Sequence, residues 1–114
     1  IFMSVSAGAM EKKQKRHTIV LLQFTVKTET KRWYDFPSVN EAMMGIVRIY
    51  EEEIQRLNPH MKTCTYNIEE LFEYIGGLGD ISCLVLAPST GTYEPHGVKF
   101  IKDSIYELLN KQAK

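Results

Sequence analysis

Cysteine is scarce in this sequence. Cys64 and Cys83 are the only two; they form no CxxC pair, and no histidine adjoins either. Such spacing excludes the thiolate zinc motifs and the redox dithiol motif, and two reduced thiols is a better reading than a disulfide. Histidine is equally thin. His17, His60 and His96 lie far apart, as isolated side chains rather than a metal triad. Surplus charge is missing too, since 14 Lys and Arg balance 14 Asp and Glu. Proteins held to nucleic acid or anionic membrane chiefly by electrostatics carry a basic excess, so that class is disfavoured. No apolar run approaches the ~20 residues that span a bilayer. Gly76, Gly77 and Gly79 follow a helical stretch instead of opening one, so they are no phosphate loop. No nucleophile and base, and no paired acid and base, can be assembled. The expectation is therefore no enzyme, no cofactor, no metal and no membrane.

What is present is a chain of 114 residues, 44% hydrophobic and 25% charged, which is one ordinary globular domain. Residues 1–16 include "EKKQKR" and are read as a flexible or added basic extension; residues 17–114 are the domain. "HTIVLLQFTV" (17–26) reads as a strand. Ile19 and Leu21 fall on one of its faces, Val20 and Leu22 on the other. "KTETK" (27–31) is a polar turn, and "RWYDF" (32–36) completes a hairpin. Pro37 ends it. Ser38 with Glu41 then forms a capping signal, opening a helix that runs to Leu57 and stops at Asn58-Pro59. Val39, Met43, Ile46, Tyr50, Ile54 and Leu57 are its core stripe. Asn67 with Glu70 caps a second helix, with Ile68, Leu71, Phe72, Ile75 and Leu78 inward. "ISCLVLA" (81–87) is a third strand, "PSTG" (88–91) a turn and "TYEP" (92–95) a fourth strand. Residues 96–114 form an amphipathic helix with Val98, Ile101, Ile105, Leu108 and Leu109 inward. Glu52 and Arg56 have the spacing and polarity of a helical ion pair.

The order β-β-α-α-β-β-α predicts an α+β domain: a four-stranded antiparallel sheet with three helices packed on one face. Strands one and three, however, are apolar on both faces. An uncovered apolar face of several hundred Å² is not tolerated in a monomer, and a second copy packed sheet to sheet is the simplest cover. The expected contacts across the two-fold axis are Ile19, Leu21 and one face of strand three, either Cys83 and Val85 or Leu84 and Leu86. The first helix also carries more apolar residues than one stripe needs. Met43, Met44, Val47, Ile49 and Tyr50 are the candidate lining of a groove for a partner peptide, an amphipathic segment that folds as it binds. Ser38-x-x-Glu41 also fits an acidophilic kinase acceptor, making Ser38 a candidate phosphoacceptor beside its capping role. Trp33 and Tyr34, next to Arg32, are candidate base-stacking aromatics. They support the alternative of a direct single-stranded nucleic-acid-binding module.

Several blocks resemble the enhancer of rudimentary homolog family. They are "HTIVLLQ", "YDFPSVNEAMMGIVRIYEEEIQRLNP", "TYNIEELFEYI", "DISCLVL" and "TYEPHGVKFIKDSIYELL", in order over residues 17–113. Trp33, standing where relatives carry a threonine, and the "GGLGD" end of the second helix mark a divergent or paralogous member. The resemblance implies a homodimer built through its sheets, with no catalytic residues. It implies an adaptor that binds short peptide segments of RNA-processing or transcription proteins in small-RNA or mRNA processing and elimination. Such an adaptor meets nucleic acid only indirectly and is expected in the nucleus, with the cytoplasm left open as a second location.

Overall fold

In the computed structural model, which describes residues 16–60, 62 and 65–112, the predicted order is realised. The strands are β1 (Thr18–Gln23), β2 (Lys31–Phe36), β3 (Asp80–Ala87) and β4 (Thr92–His96); the helices are α1 (Val39–Leu57), α2 (Ile68–Gly76) and α3 (Val98–Gln112). The sheet is antiparallel throughout, in the order β2-β1-β3-β4. Both inner strands are thus the apolar ones. The edges are β2, which Pro37 follows, and β4, which contains Pro95. The expectations for residues 1–15, Cys64 and residues 113–114 lie outside the described residues.

Alternation along β1 decides which face meets the helices. Thr18, Val20 and Leu22 are buried, and so are Ile81, Cys83 and Val85, which pair with them across the β1–β3 ladder. The hydroxyl of Thr18, a buried polar group, donates to the Arg16 carbonyl at 2.8 Å. Against this face pack Ala42, Met43, Ile46, Val47 and Tyr50 of α1, Leu71 and Ile75 of α2, and Ile101 and Ile105 of α3. The surplus apolar arc of α1 is explained here. One part meets the sheet, and another meets α2 and α3, so a helix wedged between layers needs more than one stripe. Leu57 departs from the expected stripe. It sits in the last turn of α1, 62% exposed, beyond the reach of the core.

Local chemistry fixes the element ends. Ser38 is extended, and its Oγ accepts from the Glu41 amide at 3.2 Å while donating to the Glu41 carboxylate at 3.2 Å. This satisfies one orphan donor of the helix start. At α2 the box is complete: Glu70 N–H donates to Asn67 Oδ1 at 2.9 Å, and Asn67 N–H donates to Glu70 Oε1 at 3.1 Å. Asn58 closes α1, its backbone and side-chain amides both donating to the Ile54 carbonyl. The β3–β4 turn folds back on Ala87, whose carbonyl accepts from Thr90 and Gly91. Gly91 has φ +71°, which glycine adopts without strain. Gly45 of α1 faces the ring of Phe36, and a Cβ there would collide with it. That close approach seats α1 on the β2 side of the sheet.

Several boundaries differ from expectation by one to three residues. β1 ends at Gln23 instead of residue 26. Thr25 turns out of the sheet because its amide donates to Thr30 Oγ1 at 3.1 Å, and Gln23 Nε2 donates to its carbonyl at 2.7 Å. Residues Thr28–Thr30 form a single 3₁₀ turn. The last helix starts at Val98 instead of residue 96, since His96 still belongs to β4. The expected Glu52–Arg56 pair is replaced by Glu53–Arg56, with two N–H···O contacts of 2.8 and 3.0 Å. Three residues of separation let the planar guanidinium meet both carboxylate oxygens, and this holds Glu53 below its ordinary range.

Candidate functional site

None of the described residues covers the face of the sheet away from the helices, called the open face below. Register and alternation place there His17, Ile19, Leu21 and Gln23 from the β1 segment, and Lys31, Trp33 and Asp35 from β2. Asp80, Ser82, Leu84 and Leu86 of β3 and Tyr93 and Pro95 of β4 complete it. Four strands about 4.8 Å apart and about six residues long make a face of roughly 15 by 20 Å. Its centre is apolar: Ile19, Leu84 and Leu86 are half-buried, Leu21 is 39% exposed and Trp33 66%. Polar groups stand at the two ends. Gln23, Lys31, Asp80 and Ser82 rim one end, beside a hollow of about 340 Å³ walled by Leu21 and Trp33. His17, Asp35 and Tyr93 mark the other.

This geometry sorts the expected interface residues. Ile19, Leu21, Leu84 and Leu86 share the open face. Cys83 and Val85 do not: they are 0% and 1% exposed beneath the helices, because their parity on β3 matches that of Val20 and Thr18 on β1. Burial pushes the Cys83 thiol up to about 11. A thiol so placed is not an alkylation target. Iodoacetamide at pH 8 is expected to leave the Cys83 peptide unmodified in the folded protein and to label it in urea, as read by peptide mass mapping.

The expected groove on α1 is corrected in the same way. Met43, Val47 and Tyr50 are core residues, at 0, 2 and 8% exposure, because the other helices take up that side of α1. Tyr50 lies between Tyr66 and Tyr74, with ring centroids 5.0 Å from each. Tyr66 is anchored by donating to Glu51 Oε2 at 2.7 Å. Met44 and Ile49 are only partly covered. Trp33 and Tyr34 cannot act as one stacking platform. Adjacent in a strand, they point to opposite faces: Trp33 is level with Leu21 on the open face, and Tyr34 is level with Val20 on the helix side.

A different groove exists. The start of α1 and one side of α3 enclose about 590 Å³, with Val39, Phe100 and Leu108 as apolar wall and Arg16, Asn40, Asp103, Glu107 and Lys111 around them. Ser38 opens onto it, so the candidate phosphoacceptor is at the mouth of a groove. Nothing in the sequence pattern of either helix alone marks this place, since its walls come from both α1 and α3. Of the three histidines, His17 joins the open-face cluster and His96 stacks on Phe100 at 4.0 Å. Among the described residues, no group of three or more His, Cys, Asp or Glu is placed to hold a metal, and no helix is long and apolar enough to cross a membrane.

The family profile described as Enhancer of rudimentary matches residues 14–114. The chain belongs to the Enhancer of rudimentary family. "Protein enhancer of rudimentary" of Drosophila virilis is 48% identical over 97 residues, which cover 85% of this chain and 93% of that one. "Enhancer of rudimentary homolog" of Caenorhabditis elegans is 44% identical over 96 residues, covering 84% and 93%. The Arabidopsis thaliana protein of the same name is 36% identical over 98 residues, covering 86% and 90%. The Enhancer of rudimentary match spans every strand and helix described above.

Proposed function

We propose that this Enhancer of rudimentary chain is a non-catalytic homodimeric adaptor of the nucleus. It pairs through the open sheet face and holds short peptide segments of RNA-processing or transcription proteins. The observation that carries the reading is that face: Ile19, Leu21, Leu84 and Leu86 in one contiguous apolar strip, flanked by Trp33 and covered by none of the three described helices. Apolar strips of this kind are the centre of obligate interfaces, with polar groups at the rim. An isologous sheet-to-sheet contact closes on itself and leaves both helical layers outward. Each copy then presents the groove between α1 and α3 to solvent. Its apolar wall suits a segment that inserts large apolar side chains and orders on binding.

The test is twofold. Sedimentation of the full chain at micromolar concentration is expected to give twice the mass of one copy. Segments captured from nuclear extract are expected to cross-link through Lys111, at the groove. A protein monomeric at those concentrations overturns the dimer. Salt-sensitive capture of single-stranded RNA, lost in Trp33→Ala, would replace the adaptor by a direct nucleic-acid binder.

A further inference from the structure

His17 stands just before β1 and shares the parity of Ile19 and Leu21, so its imidazole lies on the open face. Its Nδ1 is 2.7 Å from the Tyr93 hydroxyl and its Nε2 is 3.4 Å from Asp35 Oδ1. Tyr93 also meets the ring edge-on, with centroids 5.9 Å apart. One side chain thus links the two edge strands across the face, β2 through Asp35 and β4 through Tyr93. The side chains of His17 and Asp35 are 38% and 55% exposed. Water therefore still reaches both in a single copy, and a sheet-to-sheet contact would remove it.

The cluster accommodates either charge state of the imidazole. In the neutral ring, Nε2–H donates to the Asp35 carboxylate and Nδ1 accepts from the Tyr93 hydroxyl. In the protonated ring, both N–H groups donate, and the Tyr93 oxygen accepts. Protonation breaks no contact and changes only the net charge, from that of a bare carboxylate to that of a neutral ion pair. In water the difference is slight. Under a second copy that takes water away from the cluster it grows, because an uncompensated carboxylate is penalised more by the lost water than a hydrogen-bonded pair is.

We propose that the His17–Asp35–Tyr93 cluster couples pairing of two copies to proton uptake, so that the dimer tightens as His17 becomes charged. The inference rests on the dimer reading above. Among the described residues, the other groups around His17 do not compensate Asp35. On β3 the neighbours facing it are Leu84 and Leu86; Arg16 lines the groove on the helix side, and Glu94 is level with the buried Val85. Lys31 and Asp80 lie at the far end of β1, about 20 Å along the strand. A mate related by a two-fold axis brings the same set: His17, Asp35, Lys31 and Asp80.

The sign follows from linkage. A group that binds its proton more firmly in the dimer contributes stabilisation that is fully present at low pH and is lost as pH rises. Imidazole is the side chain that changes charge between about pH 5 and 8. The experiment is sedimentation equilibrium of the full chain at constant ionic strength from pH 5.5 to 8.5. Dissociation is expected to be at least about fivefold tighter at the acid end. His17→Gln and Asp35→Asn are each expected to flatten the profile while the protein still pairs; both side chains are partly exposed, so neither variant should unfold. A flat wild-type profile, looser pairing in acid, or an acid tightening that survives in His17→Gln overturns the proposal. A chain monomeric at every pH overturns the sheet-to-sheet reading and the proton coupling with it.

Discussion

Ile19→Arg combined with Leu21→Arg is expected to convert the protein to a folded monomer. Both side chains point away from the helices, and Leu21 is already 39% exposed in a single copy. Their replacement therefore removes nothing from the core between sheet and helices. Across a two-fold axis the same change places two guanidinium groups per copy in an apolar strip without partners. Each buried unpaired charge costs several kcal/mol, so the dissociation constant should rise by three orders of magnitude or more. Light scattering after size exclusion reads the mass, and far-UV circular dichroism reads the fold. Leu57→Arg, on an exposed turn of α1, is the control and should alter neither. A double variant that remains paired would move the interface off this face.

The second large effect is expected from Met43→Ala. Met43 is 0% exposed and faces the junction of the sheet with the helices. Truncation removes buried methylene and sulfur contacts and leaves a void that close-packed neighbours fill only in part. Losses of this kind run to about 2–5 kcal/mol. In a domain of this size each kcal/mol shifts the melting midpoint by roughly 4–8 °C. Scanning calorimetry at fixed protein concentration should therefore show a drop of at least about 8 °C. Leu57→Ala, in the same apolar periodicity but 62% exposed, should change the midpoint by no more than about 0.5 kcal/mol worth of stability. If Met43→Ala were as mild as Leu57→Ala, the side of α1 assigned to the core would be wrong.

Met43 and Leu57 also show what the sequence could and could not disclose. Helical spacing puts both on one stripe, and the Ser38 and Asn58-Pro59 signals bound the helix correctly. Periodicity, however, reports an angle around the helix axis and not the distance to the sheet. Leu57 lies past the end of the layer it would have to touch. The same ambiguity made Val47 look like spare surface and let Met43 and Tyr50 be counted both on the core stripe and in the groove. A wide apolar arc is consistent with a groove or with a helix packed on two sides, and only the positions of α2 and α3 decide between them. β1 and β3 present the reverse case. Their two-sided apolarity disclosed an open face, and alternation grouped Ile19 with Leu21. Which face of β3 shared that side depended on the β1–β3 register, a relation between distant segments that neither carries alone. Placing Thr18 level with Val85 settled it in favour of Leu84 and Leu86.

The sites that sequence reasoning missed are those made by two helices together or by long reach. The groove between α1 and α3 takes its walls from both helices. The His17 cluster needed the β1–β2 and β3–β4 ladders together, although the parity of His17 with Ile19 was already visible.

The strand order has one more consequence. Both outer strands are poor templates for growth: β2 carries Lys31 and Arg32 and runs into Pro37, while β4 has Glu94 at its middle and Pro95 next to it. A proline lacks the donor that an incoming strand needs, and charged side chains repel flat stacking. Lateral recruitment of further copies into a continuous ribbon is thereby disfavoured, and the pairing proposed through the broad side would halt at two. Such a particle can be concentrated in a cell without seeding fibres.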